Sequence, residues 1–398
     1  MSFEQFSLDA RIMSGVKDVG YSEPTPIQQQ AIPVVLKDRD VMGIAQTGTG
    51  KTAAFALPIL NRLIKDRSRH VRALILAPTR ELAEQIHDMT NDLGKHTRVR
   101  SVTVYGGVSK GPQIDALRRG AEIVVACPGR LLDLLGDRYI DLSHVEVLVL
   151  DEADRMCDMG FLPDIRRILK VLPAQRQTLF FSATMPDDIR KLADHILKNP
   201  VTVQIGMIAP AETVSHALYP VTRHLKKNLL LAMLDQTATG RVLVFTRTKH
   251  RAKNLARDLE RQNIRAAALQ GNMSQNQRQR ALDGFRSGKV DILVATDVAS
   301  RGIDVADITH VINYDMPDTV DAYTHRIGRT GRVDTTGEAR TFVEQDDEPL
   351  VHKIEALLGE RIERRKLDGF DYNAPPPQGQ NNQHRSRGPR PQRSRRRY

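Results

Sequence analysis

Val147-Leu148-Val149-Leu150-Asp151-Glu152-Ala153-Asp154 runs an uninterrupted apolar segment into a cluster of carboxylates. Four consecutive aliphatic residues without polar alternation fit a strand buried on both faces, as in the interior of a parallel sheet. Ligands of such sheets bind beyond the carboxyl ends of the strands, so Asp151 and Glu152 are predicted to stand at a ligand-bearing edge. Alone, the same residues also read as the acidic first turn of a helix, where carboxylates merely complement the helix dipole. Further apolar runs at 73–77, 102–105, 123–126 and 178–181, with 145–150 itself, alternate with helical stretches. That alternation predicts an α/β architecture, a parallel sheet covered by helices. The pattern recurs at 242–246, 266–269, 292–295, 310–314 and 339–343, so two such sheets are expected in tandem.

A chain of 398 residues exceeds what one core ordinarily serves, which agrees with two domains. Between the two sets of strands, Gly206-Met207-Ile208-Ala209-Pro210-Ala211-Glu212-Thr213 has neither helix nor strand periodicity. The expected division is a first domain at 1–207, a linker at 208–214, a second domain at 215–367 and a disordered tail at 368–398. The tail is rich in Pro, Gln and Arg, a composition that cannot bury enough apolar surface to offset chain entropy. It holds seven arginines and no acid from Tyr372 onward, leaving +4 of the formal +11 for the remainder. A net positive charge favours a polyanionic partner. No apolar run is long enough to span a bilayer, the first residues lack the marks of a signal peptide, and a cytoplasmic location is expected. Cys127 and Cys157 show no CxxC spacing and no HExxH occurs, so neither a disulfide scaffold nor a zinc site is indicated.

Ile44-Ala45-Gln46-Thr47-Gly48-Thr49-Gly50-Lys51-Thr52 reads as a phosphate-binding loop opening a helix. Backbone amides of Thr47, Gly48, Thr49 and Gly50 would cradle phosphates, Lys51 would supply a point charge, and the Thr52 hydroxyl would ligate Mg²⁺. Ala45 stands where the general pattern has Gly, at the position that only begins the loop. Combined with this loop, Asp151 becomes a second Mg²⁺ ligand and Glu152 a candidate general base toward water. In the second half, Ala322-Tyr323-Thr324-His325-Arg326-Ile327-Gly328-Arg329-Thr330-Gly331-Arg332 places three arginines at spacing three. Taken by itself it fits a phosphate clamp and a basic nucleic-acid patch equally.

Together with Gly20-Tyr21-Ser22-Glu23-Pro24-Thr25-Pro26-Ile27-Gln28 and Ser182-Ala183-Thr184, these motifs resemble the DEAD-box RNA helicases, in family order, over roughly residues 3–332. The resemblance implies two RecA-like domains, ATP with Mg²⁺, and RNA as partner. It implies that Gln28 reads the adenine edge, with Phe3 and Tyr21 packed nearby, and that Asp304 binds the ribose. It implies that Arg326 and Arg329 cross the cleft as arginine fingers. His325, Ser182, Thr184 and Asp297 are implied as links between the sites. RNA contacts are implied for Pro78, Thr79, Arg80, Gly107, Gly129, Arg130, Arg247, Gln275, Arg278 and Thr296, mostly to backbone and so without sequence preference. Each of these, taken singly, reads as well as an ordinary strand-to-helix turn with its cap. Cys127 replaces the family's usual Thr, and a thiol is a poorer hydrogen-bond partner. Gln270 replaces a common His.

The expected action is closure of two domains on ATP and one RNA strand, with reopening after hydrolysis, in a monomer that locally separates short duplexes. A DNA-directed motor and a noncatalytic RNA clamp are the rivals. Gln28-Gln29-Gln30-Ala31-Ile32-Pro33 and the short basic tail look most like the bacterial RhlE-type branch, which implies ribosomal precursors or RNA-decay machinery as partners.

Overall fold

A computed structural model describes residues 2–45, 48–66, 68–205, 214–236, 240–300, 308–331 and 337–376. Thr47, Asp304, Arg332, positions 208–213 of the expected linker and the tail from 377 onward lie outside the described residues.

The first sheet comprises β1 (Val41–Ile44), β2 (Ala73–Leu76), β3 (Ser101–Val104), β4 (Ile123–Ala126), β5 (Val147–Leu150), β6 (Gln177–Ser182) and β7 (Val201–Gln204), in the order β3-β4-β2-β5-β6-β1-β7. The second comprises β8 (Val214–Pro220), β9 (Arg241–Phe245), β10 (Ala266–Leu269), β11 (Ile292–Ala295), β12 (Ile308–Asn313), β13 (Gly337–Val343) and β14 (Glu363–Arg364), in the order β10-β11-β9-β12-β13-β8-β14. Every pairing is parallel. These are the two RecA-like sheets expected.

β2, β4, β5 and β6 are buried at every position, which is why the first three read as unbroken apolar runs. Successive side chains point to opposite faces: Phe181 joins the core with Phe55 and Ile27, while Phe180 joins the other with Ile165 and Leu131. In the second sheet Leu243 and Phe245 face one core, Val242 and Val244 the other. Among the described residues no helix is long and apolar enough to cross a membrane.

Two boundaries differ from expectation. Val214, placed in the linker, opens β8 and pairs with Gly337. The chain expected to become disordered at 368 stays packed to Ala374. Leu367, Phe370, Tyr372 and Ala374 lie on the outer core of the second sheet, the rings of Phe370 and Tyr372 meet edge to face at 4.9 Å, and the Leu367 amide donates to the Tyr372 hydroxyl at 2.8 Å. Two aromatic rings within three residues recover burial that the Pro- and Gln-rich sequence farther on does not offer.

Candidate active site and nucleic-acid interface

β1 delivers the phosphate loop to the carboxyl edge of the first sheet, where the Ala45 amide donates to the Ser182 carbonyl at 3.0 Å. Gly48 and Gly50 both take left-handed φ, +86° and +91°. At Gly50 a Cβ would also run into the Gln28 amide, so only glycine serves there. The helix Lys51–Leu63 starts directly after Gly50 with no side chain capping its first amides, leaving a helix N-terminus suited to an anion. Lys51 is buried over the loop, its Nζ donating to the Ala45 carbonyl at 2.8 Å.

Gln28 is 2 % exposed, its Oε1 accepting from the Thr25 amide at 3.0 Å and its Nε2 donating one hydrogen to the Gly50 carbonyl at 3.1 Å. The Thr25 hydroxyl donates to the Thr49 carbonyl at 2.9 Å. One helix start thus grips two carbonyls of the phosphate loop. Phe3 stacks on Tyr21 at 6.1 Å and 14°, part of the core behind that grip. Gln28→Ala removes both amide bonds, a net loss of about 1.4 kcal/mol, and is expected to raise KM for ATP roughly tenfold in steady-state kinetics. An unchanged KM would show that the grip is not used.

The carboxylates sit at the end of β5, 2 % exposed for Asp151 and 3 % for Glu152. Glu152 adopts φ +52°, a left-handed conformation costly for this residue type, which turns the chain sharply into the helix Ala153–Asp158. Burial pushes the Asp151 carboxyl up to about 6 and Glu152 adds to the rise, against the pull of Lys51. Burial acts the same way on Glu152, but Arg155 first, then Lys51 and Arg329, override it and hold that group down at about 2. The Arg155 guanidinium donates to Glu152 Oε2 at 2.6 Å. Asp154 binds the Ser182–Thr184 turn: its Oδ2 accepts from the Ala183 amide (3.1 Å), the Thr184 amide (2.8 Å) and the Thr184 hydroxyl (3.0 Å). Its own amide donates to Ser182 Oγ at 3.2 Å.

Arg329 of the second domain is 4 % exposed and close enough for its charge to act on Glu152. A cavity of about 30 Å³, room for a water, lies between Arg155 of the first domain and His325, Arg326, Arg329 and Asp297 of the second. Arg326 is held on several sides. Its guanidinium donates to both Asp297 carboxylate oxygens (2.6 and 2.7 Å), to Asn313 Oδ1 (3.2 Å) and to the Asp315 carbonyl (2.7 Å), and lies over the Phe245 ring at 5.0 Å. Each of these bonds is made within its own domain, and the residue also lines the cavity that Arg155 of the first domain closes.

The expected RNA contacts fall at the carboxyl edges too, and several are already occupied. The Thr79 hydroxyl caps its helix by accepting from the Leu82 amide at 3.3 Å. Arg80 lies over the Tyr105 ring at 5.8 Å and donates to Gln275 Oε1 of the other domain at 3.1 Å. Gly107, at φ +77°, leaves the space that the Arg80 guanidinium fills. Arg130 reaches the Val108 carbonyl at 3.0 Å, its buried Nε lies 3.7 Å from Asp133 without a hydrogen bond, and Gly129 faces open space. Arg278 donates from Nε and Nη2 to Glu81 Oε1 at 3.0 and 2.8 Å, across the domains. The Arg247 amide donates to Asp315 Oδ2 at 2.9 Å, and Thr296 follows β11 nearly buried. Cys127 is buried, which pushes its thiol up to about 12, with Glu81 adding to the rise. Pro78 is buried at the end of β2. Glu81, Arg155, Asp154 and Asp315 were not read as site residues. Arg80-Glu81 and Asp154-Arg155 are visible as adjacent charges, but nothing in the sequence says that Glu81 meets Arg278 or that Asp154 meets the Ser182–Thr184 turn.

Two family models match, the DEAD/DEAH box helicase at 25–192 and the helicase conserved C-terminal domain at 225–334. The DEAD-box ATP-dependent RNA helicase RhpA of Helicobacter pylori is 45% identical over 373 residues, 94% of this chain and 75% of that protein. Among solved structures, S. cerevisiae Dbp5 bound to RNA and ADP BeF3 superposes with a TM-score of 0.82 at 31% identity, covering 92% of this chain and 95% of Dbp5. Mss116 bound to ssRNA and UDP-BeF gives 0.83 at 28% identity, covering 93% and 80%. The chain therefore belongs to the DEAD-box family of ATP-dependent RNA helicases.

Proposed function

We propose a division of labour among the residues of this RNA-dependent ATPase, carried by one observation: Arg155, bonded to Glu152, lines one small cavity together with His325, Arg326 and Arg329 of the opposite domain. The amides of Gly48, Thr49 and Gly50, with Thr47, hold the phosphates of ATP at the uncapped helix start, and Lys51 turns from the Ala45 carbonyl to the β and γ phosphates. Gln28, Phe3 and Tyr21 set the adenine end, and Asp304 meets the ribose. The residues present fit a hard cation: Asp151 is a buried acid whose carboxyl burial has raised, as expected where a further positive charge is to be accommodated. Asp151 and the Thr52 hydroxyl would hold Mg²⁺, directly or through water, and the ion supplies charge neutralisation at the phosphates.

Glu152, whose carboxyl Arg155 and Lys51 hold below its usual range, orients the attacking water. A strong base is not required, because phosphoryl transfer passes through a loose transition state in which little proton abstraction has occurred. Arg329 stabilises charge on the transferred group only when the domains are together, so hydrolysis waits for closure. Arg326 positions Asp297 and the loop after β11, and His325 links that loop to the Asp151–Thr184 edge. Closure also joins Arg80 to Gln275 and Glu81 to Arg278. We expect Glu81→Gln and Arg278→Gln each to raise the RNA concentration for half-maximal ATPase about tenfold, and the double variant to do no worse than either alone. Additive losses would mean that Arg278 acts on RNA instead.

RNA crosses both domains along Pro78–Arg80, Gly107, Gly129–Arg130, Arg247 and Thr296. Deleting 377–398 is expected to weaken RNA binding and to flatten its salt dependence by up to about 5 if all seven arginines meet phosphates of a single strand. An unchanged slope would remove the tail from the interface. Cytoplasmic ribosomal precursors or decaying transcripts are the targets that the RhlE-type spelling of 28–33 supports. The reading is tested by phosphate release from ATP and GTP with no nucleic acid, with single-stranded RNA and with matched DNA. Stimulation of ATP hydrolysis by RNA alone is expected, and equal stimulation by DNA would overturn the assignment of the strand.

A further inference from the structure

We propose that a groove between the helices Leu162–Leu169 and Asp187–Ile196 is a docking site for an acidic, aliphatic segment of a partner protein. Both helices run back from the ATP edge, the first after Asp154 and the second after Thr184, so their C-terminal ends lie at the opposite edge of the sheet. Arg176 stands there too, one residue before β6 and roughly 20 Å of strand from Ser182.

The groove encloses about 540 Å³. Its floor is Leu169, Leu192 and Ile196, and nearby Val171 is 52% exposed, one of only three large hydrophobics so exposed among the described residues. Four cations and an imidazole surround that floor: Arg166, Lys170, Lys191 and His195 are exposed, and Arg176 is half-buried. Cations at helix C-termini complement the helix dipole, and that accounts for Arg166. It does not account for Arg176, which belongs to no helix. Its Nη1 donates to the Pro173 carbonyl at 2.6 Å, while its Nε is buried with no partner, one of two such side-chain atoms among the described residues. Burial lowers its pKa, and Asp40 opposes this only at a distance, its oxygens accepting from the Thr178 and Lys198 amides. A half-buried guanidinium whose only hydrogen bond goes to a carbonyl is poorly compensated for its desolvation. Asp164 and Asp188 pair with other residues, lying 3.5 Å from Arg167 and 4.0 Å from Lys191.

A segment alternating carboxylates with aliphatic side chains satisfies both halves of the groove, the acids meeting the rim and Arg176, the aliphatics covering the floor. Single-stranded RNA fits less well, since the floor carries no aromatic ring on which a base would stack. The chain's own tail is repelled, having seven arginines and no acid.

The test is fluorescence anisotropy of a fluorescein-labelled peptide alternating Glu and Leu, titrated with the full chain, beside a control peptide carrying Lys for Glu and a labelled oligouridylate. The full chain is expected to bind the acidic peptide saturably. The variant Lys170→Glu/His195→Glu, and separately Val171→Asp, are expected to lose roughly tenfold in that affinity, with RNA-stimulated ATP hydrolysis and melting temperature unchanged. No saturable binding, or equal binding by both variants, would overturn the proposal. Loss of oligouridylate affinity in the variants with peptide affinity intact would also overturn it, and would assign the surface to RNA.

Discussion

Glu152→Gln is expected to lower RNA-stimulated hydrolysis by about 10²–10⁴ while ATP and RNA binding stay within a few-fold of the native chain. The substitution is nearly isosteric, and the Gln carbonyl can still accept the Arg155 bond made at 2.6 Å, so the helix start at Ala153 and the fold persist. What disappears is the fixed negative charge that Arg155, Lys51 and Arg329 maintain in a buried site. Single-turnover phosphate release with equilibrium binding of a labelled RNA separates the two effects. Normal turnover in this variant would remove Glu152 from the chemistry.

The second large effect distinguishes the two arginines. Arg329→Ala is expected to cost roughly 10³-fold or more in hydrolysis, the range of an arginine finger. Arg326→Ala acts on folding first. It strips the partner from Asp297 and Asn313 in a buried network, a loss of about 3–5 kcal/mol, and should lower the melting temperature of the second domain by about 10 °C. Hydrolysis falls with it, but as a consequence of a displaced Asp297 loop. If Arg326→Ala melts like the native chain and loses only hydrolysis, Arg326 crosses the cleft after all.

The alternation of apolar runs was legible because buried parallel strands have no polar face to disguise them. The strands that escaped show why legibility ends. β1 reads Val-Met-Gly-Ile, and Gly43 is there because a Cβ would collide with the Phe181 ring, a tertiary reason that strand propensity cannot express. β14 is two residues long and exists only because β8 offers it an edge. The local motifs of the site were equally legible, since a phosphate loop and its left-handed glycines are set by neighbours in the chain. Partnerships at long range were not. Arg326 and Arg329 have the same spelling and a spacing of three, yet one faces Asp297 and the other lies near Glu152, a distinction made by the rotation of one helix end. The same holds for Arg278, which read as a phosphate contact and meets Glu81.

The central claim is that closure of the two domains assembles the site, and it is tested most directly by energy transfer between dyes on the outer faces of the two domains. The account expects low transfer with ATP alone or RNA alone, high transfer with both, and loss of the high state as phosphate is released. Transfer that is high without ligands and unaltered by them would contradict it, because Arg329 would then face Glu152 permanently and RNA would have nothing to switch.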